Sequence, residues 1–226
     1  MNSVFNFDNI AHEYDNWYKT PAGKKIDEIE KNLFFKYLSK TPYKHIIEIG
    51  AGTGHWTKFM STKGYCITGC DISYKMLKIA ANKNISNAVF LNCDATTLPF
   101  PDNSADTVVA ITSIEFVKNR KKALKEIKRI LKVGGYFIIG TLNRKGSLSV
   151  IRKNIPTFKD ANLFTYKELV SELMDFGFPV VEGCLLIPNP LETDPVLIEN
   201  ADKKTDPREL NEKGNFLVGF VKKEKI

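Results

Sequence analysis

Three closely spaced glycines, Gly50, Gly52 and Gly54, stand in the stretch HIIEIGAGTGHWTKFM, which begins with apolar residues and ends in a helical pattern. Glycine lets the backbone turn sharply and approach a ligand closely, because it has no Cβ to clash. A helix that begins directly after such a turn offers free N–H groups at its N-terminus. The stretch therefore predicts a binding loop between a strand and a helix.

The spacing of the glycines and a following aspartate narrow the choice of ligand. The dinucleotide fingerprint G-x-G-x-x-G would need a glycine where His55 stands, and no G-K-[ST] follows, which excludes a P-loop. Asp71 ends the next predicted strand, where a carboxylate can accept two hydrogen bonds from a ribose 2′,3′-diol. NAD and S-adenosylmethionine both carry that diol, so these features leave both open.

A second aspartate favours S-adenosylmethionine. Asp94 follows the third predicted strand, where its carboxylate can accept from an adenine amine while the Ala95 N–H donates to a ring nitrogen. An aspartate in this position also commonly caps a turn. Because the glycine loop and Asp71 precede Asp94 in the expected order, the ligand role is the favoured interpretation.

The chain resembles a known family in several segments taken together. In order and spacing these resemble the motifs of class I S-adenosylmethionine-dependent methyltransferases, in particular the branch with the ubiquinone and menaquinone biosynthesis methyltransferases: EIGAGTG, CDIS, CDATTLPF, ITSIEFV and LKVGGYFIIGTLNR. FDNIAHEYDNWYKTPAG, FTYKELVSELMDFGF and GNFLVGFVKK also resemble that branch, so the resemblance covers nearly the whole chain. Two positions depart from the family, Ala105 where a Phe is frequent and Val133 where a Pro is frequent; both concern packing and turn stiffness.

The resemblance implies one methyltransferase domain over residues 1–226, with residues 1–20 as an N-terminal arm that folds over the cofactor as a lid. The aromatic residues of the arm could instead simply pin it to the domain. Glu48 is expected to order the glycine loop. The cofactor-binding residues that the resemblance implies are Tyr14, Trp17, Glu48, Gly50, Ala51, Gly52, Asp71, Ile72, Met76, Asp94, Ala95 and Thr112. The cofactor is S-adenosyl-L-methionine, which leaves as S-adenosyl-L-homocysteine.

Methyl transfer needs few catalytic groups, because the sulfonium methyl is already activated. Aligning a nucleophile behind it is worth up to roughly 7–11 kcal/mol, and a hydroxyl acceptor usually also needs a general base. The candidate catalytic residues are His12, as a base, and Glu115, which could contact the acceptor or the cofactor amine or could be a surface residue at a helix start. His55 could also serve as a base but is favoured as a structural neighbour of the cofactor. The stretch TSIEF, which begins at Thr112, lacks the N-P-P-[YF] and Pro-Cys motifs of enzymes that methylate nucleic acid bases.

The leading hypothesis is therefore an enzyme that methylates a small molecule, with an aromatic or quinone-like acceptor as one option. Two alternatives stay open. A non-catalytic S-adenosylmethionine sensor would keep Asp71 and Asp94 but lack an acceptor site, and an NAD-dependent oxidoreductase is less compatible with the glycine spacing.

Alternating strand and helix patterns must position these residues. The predicted strands are 46–49, 66–70, 88–92, 106–112, 135–142, 178–187 and 214–221, and the predicted helices are 20–40, 55–63, 73–82, 119–132 and 165–177. This alternation predicts a mostly parallel α/β sheet covered on both faces. The resemblance implies seven strands in the order 3-2-1-4-5-7-6, with strand 7 antiparallel. Segments 143–164 and 187–212 are predicted to build the acceptor pocket.

Composition argues against several other classes of protein. The net charge is +7, but the densest lysine run, 118–132, keeps its apolar residues at helical spacing, which favours a solvated helix over a nucleic-acid surface. The four cysteines form no C-x-x-C pair, so no metal site is expected. No signal peptide pattern and no apolar run near the roughly 20 residues of a membrane span occur. A cytoplasmic monomer or homodimer is expected.

Overall fold

The computed structural model describes residues 2–187, 189 and 191–225. Seven strands form one sheet in the order β3-β2-β1-β4-β5-β7-β6. Their bounds are β1 His45–Ile49, β2 Cys66–Asp71, β3 Ala88–Asn92, β4 Ala105–Ile111, β5 Leu131–Leu142, β6 Val180–Cys184 and β7 Phe216–Lys222. Strands β1 to β5 pair in parallel, and β7 pairs antiparallel with both β5 and β6. The predicted strand order and the reversed last strand are confirmed.

Among the described residues there are eight α-helices. They are α1 Pro21–Leu38, α2 His55–Thr62, α3 Tyr74–Asn82, α4 Arg120–Ile130, α5 Leu148–Arg152, α6 Tyr166–Leu173, α7 Pro195–Lys204 and α8 Pro207–Lys213. Helix α1 precedes β1, and the others lie between successive strands. Helices α5, α7 and α8 lie in the two segments for which the sequence predicts only connections. Asp194 and Asp206 cap α7 and α8, each followed by a proline in the first turn. Such an Asp-Pro pair is a helix-start signal.

The core has two layers, one on each face of the sheet. On one face α1 and α2 pack their apolar residues, among them Phe34 and Trp56, against the sheet. On the other face α4 and α6 contribute residues such as Ile127 and Leu173. The central strands β4 and β5 are covered on both sides, which agrees with their continuous apolar sequences. The carboxyl ends of β1, β2 and β4 therefore meet at one solvent-facing edge of the sheet.

The helices are short and amphipathic. The longest, α1, has 18 residues, with Ile26, Leu33 and Phe34 buried against the sheet. Searched over 2–187, 189 and 191–225, the structure contains no helix that combines the length and the apolar character of a membrane span. Over the same residues no cluster of three or more potential metal ligands occurs.

A capping box fixes the start of α6, as the sequence predicts. Thr165 accepts a hydrogen bond from the Glu168 N–H, and the Glu168 carboxylate accepts one from the Thr165 N–H at 2.8 Å. We expect Thr165→Ala to lower the free energy of unfolding by about 1 kcal/mol, since an N-cap hydrogen bond is lost. Urea unfolding would measure the change.

Ser171→Ala is the matched control, because Ser171 lies exposed in the interior of the same helix. Alanine has the higher helix propensity, so this variant should be neutral or slightly more stable. Equal losses in both variants would show that the box does not stabilise α6.

Candidate functional site

A cleft opens at the carboxyl edge of the sheet, where ligands bind in open α/β folds. Its empty space is about 710 Å³ when the open solvent at its mouth is included. Its walls include nine of the twelve predicted cofactor residues: Tyr14, Gly50, Gly52, Asp71, Ile72, Met76, Asp94, Ala95 and Thr112. The sequence motifs thus converge on one place in the fold.

The glycine loop connects β1 to α2 and needs glycine for two different reasons. All three glycines have positive φ, which favours glycine. At Gly50 a Cβ would lie 2.2 Å from the Ser113 Cβ, so the loop packs tightly against the residue after β4. At Gly52 a Cβ would meet no atom within 4 Å, so this position faces open space in the cleft. Gly52 is where a bound molecule can come closest to the backbone.

The amide groups of the loop are used inside the protein. The N–H groups of Gly50 and Ala51 donate to the Cys70 carbonyl at 2.7 and 2.9 Å, and the Gly52 N–H donates to the Asp71 carboxylate at 2.8 Å. These bonds fasten the loop to the end of β2. The amide groups at these three loop positions are therefore used within the protein, and here the loop contributes its shape.

Asp71 occupies the end of β2 and holds two chain segments. One carboxylate oxygen accepts from the Gly52 N–H and the other from the Ser73 N–H, each at 2.8 Å. Burial raises the pKa of Asp71 above its ordinary value, although these hydrogen bonds act to lower it. Each carboxylate oxygen can accept more than one hydrogen bond. Asp71 can therefore still receive the two hydroxyls of a ribose.

Asp94 follows β3 and is paired with the N-terminal arm. One oxygen accepts from the Thr96 N–H, and the other accepts from the Asn2 side-chain amide at 2.6 Å. Burial acts to raise the pKa of Asp94, but the hydrogen bonds from Thr96 and Asn2 outweigh it and lower that pKa. An amide N–H of the arm thus contacts the carboxylate that the sequence assigns to an adenine amine. The sequence analysis gave no role to Asn2.

Thr112 directly follows β4 and has a strained backbone conformation. Its φ is +43°, a left-handed value that is uncommon for a β-branched residue. The Thr112 N–H donates to the Gly140 carbonyl on β5 at 2.7 Å, which holds the strained turn in place. Strain of this kind concentrates at functional sites. The turn directs Ser113, Ile114 and Phe116 to the cleft wall.

The N-terminal arm roofs the cleft and is fastened at several points. Phe7 and Tyr14 line the cleft, and burial raises the pKa of Tyr14 to about 12. Asp15 accepts from the Thr53 hydroxyl and pairs with Lys83, each at 2.6 Å. Some residues of the arm therefore line the cleft, and others attach the arm to the domain. The lid interpretation concerns the first set and the attachment interpretation the second.

Tyr18 attaches the arm to α1 through a histidine. Its ring stacks on the His55 ring with centroids 3.6 Å apart. The His55 Nε2 atom lies 2.7 Å from the Asp27 carboxylate and 2.8 Å from the Lys31 ammonium. His55 therefore joins the arm, α1 and the start of α2.

Four predicted residues lie outside the cleft wall. Trp17 is 45% exposed and His12 is exposed, both on the arm. Glu48 is buried beneath the glycine loop and accepts a hydrogen bond from the Thr57 hydroxyl of α2. Ala51 is buried, packed near Gly69. The structure brings none of these four into contact with the cleft, and their expected roles stay predictions.

Three further charged residues lie behind the inner wall, beside the arm. Glu115, between two residues that line the cleft, is fully buried and accepts from the Leu142 N–H at 3.2 Å. Glu115 is therefore not a surface residue, which was the alternative that the sequence left open. Glu30 of α1 and Arg152 of α5 were missed by the sequence analysis. A signal for Glu30 existed, since it lies between Ile26 and Leu33 on the apolar face of α1.

Comparison with known proteins agrees with this geometry. A family model described as a methyltransferase domain matches residues 47–139. An uncharacterized protein of Methanocaldococcus jannaschii is 34% identical over 186 residues, which cover 78% of this chain and 82% of that protein. A demethylmenaquinone methyltransferase of Tropheryma whipplei is 35% identical over 106 residues, 46% of this chain and 44% of that enzyme.

Among solved structures, a methyltransferase of Thermotoga maritima, described as a possible histamine N-methyltransferase, is 25% identical with a TM-score of 0.72. The match covers 96% of this chain and 98% of that one. The chain therefore belongs to the class I S-adenosylmethionine-dependent methyltransferases. It is an S-adenosylmethionine-dependent methyltransferase, which sets aside the sensor and oxidoreductase alternatives.

The residues present fit this cofactor. Gly52 leaves open space where a Cβ would stand, and Asp71 and Asp94 lie on the same cleft with acceptor capacity remaining. Ile72 and Met76 supply apolar surface between the two carboxylates. This is the polar and apolar pattern that an adenosine requires.

We expect Asp71→Ala to weaken S-adenosylmethionine binding about 10- to 150-fold, because hydrogen bonds to a charged group are worth about 1.5–3 kcal/mol. Isothermal titration calorimetry would measure the dissociation constant. Asp102→Ala is the control, since Asp102 is 70% exposed and pairs with Arg129 at the surface. An unchanged dissociation constant in Asp71→Ala would place the ribose elsewhere.

Buried carboxyl groups make the stability depend on pH. Burial raises the pKa of Glu48 and of Glu30 to about 8 from an ordinary value of 4.5. Between about pH 4.5 and pH 8 these two carboxyl groups keep their protons in the folded state and lose them in the unfolded chain. Their stabilising effect is therefore full below about pH 4.5 and is lost as the pH rises through about 8.

As the pH rises from about 5 to 8, we expect the free energy of unfolding to fall less in Glu48→Gln than in the wild type, since glutamine does not titrate. Urea unfolding of both proteins across this range checks the difference. Glu28→Gln, an exposed position on α1, should follow the wild-type profile. Parallel profiles for Glu48→Gln and the wild type would contradict the raised pKa of Glu48.

Proposed function

We propose that this enzyme methylates a small molecule that binds beneath the N-terminal arm, at the inner end of the cleft. The observation that carries the proposal is the wall after β4. Ile114 and Phe116 line the cleft beside the glycine loop, while Glu115 between them is buried on the side away from solvent. An acceptor at this wall lies under the roof formed by Phe7 and Tyr14.

The roles that we propose for the cofactor side follow from the contacts. Asp71 would accept from the ribose hydroxyls, Asp94 from the adenine amine, and Gly52 would admit the cofactor close to the backbone. When bound, S-adenosylmethionine supplies an activated methyl group on a positively charged sulfur. The Asn2 amide would have to leave Asp94, or share it, when an adenine amine takes that position.

The arm would exclude water and align the acceptor. Phe7 packs edge-to-face on Phe116 with ring centroids 5.1 Å apart, so the roof contacts the inner wall directly. Alignment of a nucleophile in a closed site is the largest contribution that methyl transfer asks of a protein. Of the two candidate proton acceptors, Glu115 is favoured by its position behind the wall, whereas His12 is exposed.

The comparisons leave the acceptor open. The relatives include demethylmenaquinone methyltransferases, and the similar structure is described as a possible histamine N-methyltransferase. A quinol and an amine differ in charge and polarity, so these relatives do not point to one acceptor for this enzyme.

The direct test incubates the protein with methyl-labelled S-adenosylmethionine and a deproteinised metabolite extract, then follows S-adenosylhomocysteine and labelled products by mass spectrometry. We expect both to appear together and only with active protein. Phe116→Ala should lower turnover at least about tenfold, because the roof loses its contact with the wall. Phe178→Ala is the control, since Phe178 is 82% exposed. Label found only on nucleic acid or protein would refute a small-molecule acceptor.

A further inference from the structure

Glu30, Glu115 and Arg152 form a buried group that we call the charged cluster. Glu30 is 6% exposed and Glu115 is 0% exposed. Glu115 Oε2 and Arg152 Nη1 are buried and, over the described part of the chain, have no hydrogen-bond partner. No ion pair within 4.0 Å joins any two members of the cluster. The chain thus buries two carboxyl groups and one guanidinium without pairing them directly.

The three side chains nevertheless lie close enough to act on one another electrostatically. Burial lowers the pKa of Arg152, and the two carboxyl groups of Glu30 and Glu115 act against that shift. The Arg152 guanidinium in turn opposes the rise that burial causes in the pKa of Glu30. The three groups therefore interact through space although they do not touch.

A chain of contacts connects the charged cluster to the cleft. The Arg152 guanidinium lies 5.6 Å from the Phe158 ring centroid, and the Phe158 ring lies 5.8 Å from that of Phe116. Phe116 lines the cleft next to Glu115. The charged cluster therefore lies directly behind the wall where we propose that the acceptor binds.

Unpaired buried charge is expensive. Moving an ion out of water costs several kcal/mol unless a partner of opposite charge and good hydrogen-bond geometry compensates it. Two carboxyl groups and a guanidinium, from α1, the turn after β4 and α5, come together here without an ion-pair partner, whereas other ionic groups of α1, such as Asp27 with Lys31, are paired. The arrangement fits a polar ligand that completes the missing pairs.

We propose that the charged cluster recognises the methyl acceptor, and that the acceptor is a small amine that also carries an acidic group. This inference rests on the proposed function. Glu30 and Glu115 would receive the N–H groups of the amine, and the fork-shaped Arg152 guanidinium would receive a carboxylate or phosphate. Two acids and one base complement a ligand with the opposite groups.

The position of Glu115 makes the amine nitrogen the methylated atom. In the transfer the nitrogen lone pair forms the new N–C bond, and the electron pair of the broken C–S bond stays on sulfur. The proton lost from nitrogen passes to Glu115 Oε2, the atom that lacks a partner in the structure. A neutral quinol would provide no charged partner for any member of the cluster.

The first experiment identifies the product class. The labelled product from the extract is isolated, and its fragmentation shows the methylated atom and any acidic group. We expect an N-methylated compound with a carboxylate or phosphate. A labelled quinone, ether, thioether or C-methyl product would overturn this inference and leave the proposed function intact. Absence of any labelled small molecule, with S-adenosylmethionine bound, would instead overturn the proposed function.

The second experiment uses variants with the acceptor so identified. We expect Glu30→Gln and Arg152→Lys each to raise the KM for the acceptor at least tenfold and to leave the KM for S-adenosylmethionine within about twofold. Glu28→Gln is the matched control, two residues away on α1 and 58% exposed at its side chain. It should change neither constant.

A merely structural role of the cluster predicts a different result. In that case Glu30→Gln would shift the melting temperature and leave the KM for the acceptor as in the wild type, which would overturn the inference. If the cluster recognises the acceptor, the variant should melt no lower than the wild type, because it removes a buried ionisable group that has no ion-pair partner.

Discussion

The Asp71 carboxylate connects more of the site than any other group that the structure describes. It binds the Gly52 N–H of the glycine loop and the Ser73 N–H at the start of α3. Ser73 then caps α3 through the Met76 N–H and donates its hydroxyl to Asp8 of the arm. One side chain at the end of one strand thereby fixes the loop, the next helix and, through Ser73, the roof. The cofactor half of the cleft depends on this arrangement, because any displacement of Asp71 would move all three.

The two halves of the cleft differ in how their polar groups are satisfied. On the cofactor side Asp71, Asp94 and the loop amides have hydrogen bonds within the protein before any ligand is considered. Behind the inner wall, Glu115 and Arg152 keep unpaired atoms in the interior. Polar groups that are already hydrogen-bonded suit a cofactor common to many methyltransferases. Buried polar atoms without a partner suit the acceptor, the ligand that we propose distinguishes this enzyme from its relatives.

Sequence reasoning succeeded where the signal is local. The glycine loop, Asp71 and Asp94 each follow a strand, and parallel strands bring their carboxyl ends together without further information. It failed where distant segments meet. Glu30 and Arg152 are separated by most of the sheet in sequence, and nothing near either residue indicates the other. The short helices α7 and α8 were not predicted, although an Asp-Pro pair marks the start of each one.

The arm is joined to the glycine loop, to α3 and to α1 by separate contacts, through Thr53 and Lys83, through Ser73, and through His55. Asn2, Phe7 and Tyr14 of the same segment line the cleft. If the cofactor binds as we propose, its entry and exit would require these attachments to open, and their strength would then limit how fast the enzyme completes its cycle.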